Sequence, residues 1–484
     1  MTDWVAPAPQ TEPLDAIVIG AGPAGLFSAW RLAVGGAKVA LLEAGGTMRD
    51  SLCPRVSARM NGRTVRAAEK FRLQCNRCTC LTGLGGAAFH FDINLGYVNG
   101  LSRSKIERDG QGGFRTYSGL ERALGDFDRA ARSVEEVYAS MYRFGLPPAQ
   151  GERPAASTLA GAGGFALVDD AVSQAITVDE ALTVVDALTD EACAQGLRLL
   201  LGCPAGRVTR EADGLWRVEV PAEFGGVLRA RAVVVAVGKL GLGWVRRLLT
   251  EAEVAHSAPL RVDLGVRLEA PRDIAAPLTA SCHNPKLAYL NEQGESVRTF
   301  CVCEGGRLMQ YAFMDAVVLD GQHCLTTPTE RTNFGIITTV DVPAGLDGTE
   351  YALGFARRIT ALGNGRPVVQ RAAELLGREG EGDAKTSLVH AAWVDLREAL
   401  GPRRVADIAG MVERLEELAP GIGGPQAVVA APVVERVFPA IELSDGMESS
   451  APGLFFVGDC SSKIIGVTYG AATGLAAAQT ILHG

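Results

Sequence analysis

The sequence predicts an α/β fold: a parallel, doubly wound sheet of nucleotide-binding type, interrupted by a second unit with a mixed sheet and helices. Three observations predict it. DAIVIGAGPAGLFSAWRLAVGGAKVALLEAGG (Asp15–Gly46) runs strand, glycine turn, helix, strand, acidic residue. LRARAVVVAVGKLG (Leu228–Gly241) and GLFFVGDCSSKIIGVTYGAATGLAAAQTIL (from Gly453) repeat the step from apolar strand to glycine turn. From about Asp263 to Val429, alternating segments such as GVRLEAP, VRTFCVCEGGRLMQYAF and RTNFGIITTV read as strands of a half-exposed sheet. At 484 residues the chain is too long for one ordinary core.

The first unit carries the most local information. DAIVIG is β-branched and apolar, as a buried parallel strand requires. Gly20, Gly22 and Gly25 complete G-x-G-x-x-G, and Pro23 and Ala24 open a helical period that runs to the next apolar strand, KVALLE. Gly20 permits the tight turn, Gly22 lets the backbone approach a pyrophosphate, and Gly25 lets helix and strand pack closely. The helix N-terminus favours the phosphate charge, and Glu43, with Ala44 beside it, stands where a ribose hydroxyl is accepted.

The remaining elements follow in order. DEALTVVDALTDEACAQG has helical spacing, then strands are expected around LRLLLG, GLWRVEV and AVVVAVG. RPVVQRAAELLGR and RVADIAGMVERLEEL read as helices, and 151–168 as a surface loop of small residues. The expected organisation is a flexible tail over 1–13, a nucleotide-binding domain over 14–262 and 430–484, and an inserted substrate domain over 263–429.

Composition excludes several functions. A net charge of −8 without Lys/Arg runs argues against a nucleic-acid partner. The longest apolar runs have strand length, so no membrane span is expected. MTDWVAPAPQTEP lacks the basic and apolar parts of a signal peptide, and eleven cysteines without one fit a reducing cytoplasmic setting.

The C-terminal stretch resembles the closing motif of glutathione-reductase-type FAD domains. There the aspartate binds the ribityl chain and the next helix points its N-terminus at the flavin ring. The resemblance implies FAD as cofactor, with Gly458, Asp459, Gly466 and Val467 in that role. The middle segment supplies Ala236 and Gly238, and Ala205 stands near the adenine edge. Over nearly the whole chain after Leu14, the stretches CNRCTCLTGLGGAAFHFDINL, VGKLGLGW, GVRLE, VRTFCVCEGG, RTNF and RPVVQRAAELLGR resemble a little-characterised family of bacterial FAD-dependent dehydrogenases. That family is distantly related to geranylgeranyl-reductase-like flavoproteins. The resemblance implies a glutathione-reductase-type, Rossmann-like FAD domain with an inserted mixed-sheet α+β domain.

Gly85 and Gly86 resemble glycines that let a loop pass close to the cofactor. His90 follows them as a candidate acid/base, or as a histidine satisfied by backbone. Asp92 would position the substrate or the histidine, or cap a turn. Strand alternation would place Ala88, His90 and Asp92 on one face. Cys53, Cys75, Cys78 and Cys80 are open to three readings: packed thiols, a metal site, or a redox pair at Cys75/Cys78. No metal is assigned. Cys301 and Cys303 are expected to pack in the core.

The expected function is an FAD-dependent oxidoreductase, a dehydrogenase or oxidase, that exchanges hydride with a small organic substrate. Without a second glycine fingerprint for a nicotinamide, dioxygen or a separate electron carrier is the expected acceptor. A flavin monooxygenase, a dithiol flavin oxidoreductase and a flavin-bound scaffold are the alternatives.

Overall fold

Val227–Val235 lies beside Leu14–Ile19 in parallel register, Ile17 opposite Val233 and Ile19 opposite Val235, and this pair is the axis of the first sheet. The computed structural model describes residues 12–48, 81–89, 92–97, 101–102, 105–108, 114–149, 163–169, 173–280, 284–378, 380, 382–388 and 390–484. Val39–Glu43 pairs with Leu14–Ile19 on its other edge, and Arg198–Leu201 with Val39–Glu43, both in parallel. Leu454–Phe456 adds to the C-terminal half of Val227–Val235 in parallel. The N-terminal half instead continues into the antiparallel strands Trp216–Glu219 and Val208–Arg210.

The strand order reverses on either side of Leu14–Ile19, so the carboxyl ends of the neighbouring strands open a crevice there. The turns at Gly20, Ala236–Gly238 and Gly458–Asp459 all leave from those ends. The helix Pro23–Val34 covers this sheet and packs against the C-terminal helix Val467–His483 and the helix Val178–Ala194. Thr177 and Glu180 close a capping box at the start of the last of these.

The second sheet has the order Ala392–Trp393, Val368–Arg371, Val428–Glu435, Arg261–Pro271, Arg331–Asp341, Ser296–Cys303, Lys286–Leu290, Leu167–Asp169. All its pairs are antiparallel except Val368–Arg371 with Ala392–Trp393. Leu167–Asp169 is thus a strand, where a surface loop was expected over 151–168. Strand Val428–Glu435 crosses residue 429 and lies wholly in this second sheet.

The half-exposed texture expected here is corrected by the structure. Residues 262–270 and 332–338 are buried throughout. The hairpin Arg307–Phe313/Ala316–Gln322 packs Leu308 and Leu319 onto Ile337, Val369, Ala430 and Val433. Alternate residues such as Phe334, Ile336, Val429 and Val434 join the main core. In that core they meet residues of the helices Gly348–Leu362 and Arg397–Glu416. Covered on both faces, the sheet buries its polar positions too.

Arg267 is fully buried and donates to Asn333 Oδ1 at 2.8 Å, to Asp320 Oδ1 at 3.1 Å and to the Cys301 carbonyl at 2.6 Å. RPVVQRAAELLGR is likewise not one helix. Val368–Arg371 is a strand and only Ala372–Leu375 turns helical, because the β-branched pair fills an edge of the sheet. Among the described residues, no helix is long and apolar enough to cross a membrane.

Candidate functional site

The glycine fingerprint folds as its residue types demand. Gly20 sits at φ +100°, and a Cβ there would stand 2.5 Å from the Ala236 carbonyl oxygen. A Cβ on Gly25 would stand 1.9 Å from the Gly20 oxygen. Gly22 caps Pro23–Val34 without any side-chain hydrogen bond, and Gly466 caps Val467–His483 in the same way. The first-turn amides of both helices are therefore left for an anionic or polar ligand.

Gly86, at φ +62°, closes on this cradle: its Cβ would stand 2.7 Å from the Gly22 Cα. The Gly85 N–H donates to the Ala21 carbonyl at 2.9 Å, which pins the two glycine turns together. Ala24 meets Gly458, whose Cβ would lie 3.0 Å from the Ala24 Cβ, and the Gly458 N–H donates to Thr473 Oγ1 at 2.9 Å.

Glu43 is buried and more heavily engaged than a ribose acceptor alone. Its Oε2 accepts from Ala21 N at 2.9 Å; its Oε1 accepts from Gly45 N at 2.8 Å and Gly83 N at 2.9 Å. A carboxylate offers about four acceptor positions, so one stays open on Oε2 for a hydroxyl. Ala44 is exposed beside it, and Ala205 is partly buried just beyond the end of the strand Arg198–Leu201 that pairs with Val39–Glu43.

The expected extended run over Ala88–Asp92 is corrected. Gly86–Phe89 forms a helical turn, and the strand begins only at Ile93. The hydrogen bond from Gly86 N to the Gly83 carbonyl at 2.8 Å starts that turn, so strand alternation does not apply. His90 lies outside the described residues, as do Cys53, Cys75, Cys78 and Cys80. Asp92 is buried, with Oδ1 accepting from Val178 N at 3.0 Å and Oδ2 from Leu325 N at 2.8 Å. It ties the helix Val178–Ala194 to the second sheet's loops and lines neither cavity described below. Cys303 is buried in the core and Cys301 partly so, with their thiols unbonded to each other.

Asp459 stands where the three strand ends converge. It lines a cavity with Lys239, Glu435, Lys105 and Arg436. Burial raises its carboxyl to about 6, against the opposing pull of Lys239 and of the Gly466 backbone amide. Lys239 follows Gly238, which sits at φ +61° and turns the chain out of the first sheet. Its ammonium donates to Glu435 Oε1 at 2.6 Å and to the Val434 carbonyl at 2.5 Å. It also lies 5.6 Å and 5.4 Å from the ring centres of Tyr311 and Phe313.

Burial works against the Lys239 charge, but Glu435 and Tyr311 more than offset it and push its pKa up. Burial, helped by the nearby charges of Asp320 and Asp459, raises Glu435 to about 7 in spite of Lys239. The result is a buried proton-handling group made of one cation and two reluctant carboxylates. Sequence reasoning missed Lys239 and Glu435. The available signals were a lysine in a glycine turn after a buried strand, and a charged pair, Glu435-Arg436, ending an apolar one.

A larger polar cleft of about 380 Å³ adjoins this cavity, sharing Lys105 and Arg436 with it. Among the described residues, no group of three or more His, Cys, Asp or Glu is arranged to hold a metal ion.

Residues 15–52 match the family model of the FAD binding domain. No curated protein matches the chain. Among solved structures, glycine oxidase from Geobacillus kaustophilus is similar at 14% identity and a TM-score of 0.40, over 97% of this chain and 95% of that one. A geranylgeranyl bacteriochlorophyll reductase-like protein from Thermoplasma acidophilum is 13% identical with a TM-score of 0.39, over 97% and 78% of the two chains. AlpK is 14% identical with a TM-score of 0.34; 96% of this chain is covered, and it spans 60% of AlpK's length. The glycines whose side positions are filled by neighbouring backbone fit the family that the segment matches: the N-terminal cradle is an FAD-binding unit, and its cofactor is FAD.

Proposed function

We propose that the protein is an FAD-dependent oxidoreductase whose substrate lies in the polar cleft and reacts where that cleft meets Asp459, Lys239 and Glu435. The observation that carries this reading is the meeting of a buried Lys–Glu pair with Asp459 at the carboxyl ends of the parallel strands. Bound FAD would supply the two-electron exchange with the substrate, and protein groups supply orientation and proton transfer.

Asp459, with its first-turn neighbours Gly466 and Val467, would orient the cofactor. Lys239 holds a proton at Nζ, and Glu435 holds or releases one at a carboxyl poised near neutrality, as a general acid or base requires. The substrate of this reading is a small organic molecule held in the adjoining polar cleft of about 380 Å³, and dioxygen or a separate electron carrier would restore the oxidised state.

The test is anaerobic mixing of the FAD-loaded protein with a panel of small organic substrates, followed by visible absorbance. A substrate that bleaches the flavin is expected. Lys239→Met is expected to slow that bleaching about 10²–10⁴-fold while FAD stays bound. Failure of the protein to take up FAD, or an unchanged rate in Lys239→Met, would overturn the reading.

A further inference from the structure

The junction of the two cavities holds positive charge that the described carboxylates do not match. Lys105, on the strand Lys105–Arg108, and Arg436, directly after Glu435, line both the Asp459 cavity and the polar cleft. The other cations of the cleft have carboxylate partners: Arg298 with Asp263 at 2.6 Å, Arg261 with Asp341 at 2.7 Å, and Arg122 with Glu107. Among the described residues, Lys105 and Arg436 have no ion pair.

Asp263 is the carboxylate that acts on both, and it is hydrogen-bonded to Arg298 and to Thr339 Oγ1 at 2.7 Å, with neither Lys105 nor Arg436 paired to it. Arg436 adopts φ +56°, a conformation that costs a non-glycine residue energy and aims the chain out of its strand at this point. Lys105 is packed in place: a Cβ on Gly119 would stand 3.2 Å from its Nζ.

We propose that Lys105 and Arg436 dock an oxyanion of the substrate, a carboxylate or a phosphate. The substrate enters through the polar cleft and presents its reacting end to Lys239, Glu435 and Asp459. An ammonium and a guanidinium lining one junction can each give charge-assisted hydrogen bonds to such a group, and the cleft's other arginines are already paired. Burial and the guanidiniums of Arg436, Arg298 and Arg122 depress the Lys105 pKa well below the usual lysine range. A bound anion reverses that repulsion. This inference rests on the same cleft being the substrate site, and it makes the substrate class anionic.

The experiment titrates FAD-loaded full-length protein with acetate and, separately, with inorganic phosphate at constant ionic strength. Binding is read by calorimetry and by the shift of the flavin absorbance. One saturable site per chain is expected for one of the two anions: acetate assigns a carboxylate, phosphate a phosphoryl group. Lys105→Met and Arg436→Leu should each weaken it at least tenfold, and Arg357→Gln, on a distant exposed pair, should leave it within twofold.

A second readout uses wild-type protein alone: the saturating anion should protect Lys105 from an amine-reactive label, scored by mass spectrometry. Absence of saturable binding by either anion, equal binding in the two variants, or an unprotected Lys105 overturns the inference. A preparation that takes up no FAD overturns the oxidoreductase reading instead; the anion titration and the labelling are performed on it all the same and decide this inference separately.

Discussion

Lys239 Nζ lies 2.6 Å from Glu435 Oε1, and this contact joins the turn after Val227–Val235 in the first sheet to the end of Val428–Glu435 in the second. Residues separated by 196 positions thereby share one buried charge pair at the seam of the two units. Removing one partner of such a pair strands the other without compensation, whereas removing both does not.

Lys239→Met should therefore lower stability by about 3–5 kcal/mol in urea denaturation of the apoprotein. The double variant Lys239→Met/Glu435→Leu should recover much of that loss. A double variant no more stable than the single one would mean that the pair is not energetically coupled.

Asp459 makes a pH prediction. Its folded pKa is raised from 3.8 to about 6, so between those values the folded chain binds more protons than the unfolded one. Stability supplied by the protonated form is full below about pH 4 and is lost as the pH rises through about 6. The contribution is on the order of 3 kcal/mol, because each pKa unit corresponds to about 1.4 kcal/mol. Asp459→Asn should flatten this part of the apoprotein's stability profile between pH 4 and 7, a result read by denaturation at several pH values. An Asn variant that retains the full slope would place the titrating group elsewhere.

Glu43→Ala should destabilise the protein even without FAD, because three backbone amides lose their acceptor. Each buried unsatisfied donor costs about 1–3 kcal/mol, so a loss of about 3 kcal/mol or more is expected in the apoprotein, together with weaker FAD binding. Apoprotein stability at the wild-type level would show that the carboxylate serves the ribose and not the loop.

By itself, the sequence determined the features that obey local rules. The fingerprint glycines, the helix after them and the acid ending the second strand are read from residue type and spacing, because dihedral limits and side-chain period act over a few residues. The return of the chain to the same sheet at Leu228 and at Leu454 was legible for the same reason. Only the tertiary structure decided what lies across the seam.

The second sheet alternates in sequence like a half-exposed one, yet a hairpin and two helices cover it, so Asp263, Arg267 and Glu269 are buried and must find partners. The Asp92 carboxylate receives amides from Val178 and Leu325, 86 and 233 positions away. Lys239 and Glu435 become one group only when the two sheets meet. Charge pairing and desolvation depend on distance in space, and that distance is fixed by packing between elements which no local pattern encodes.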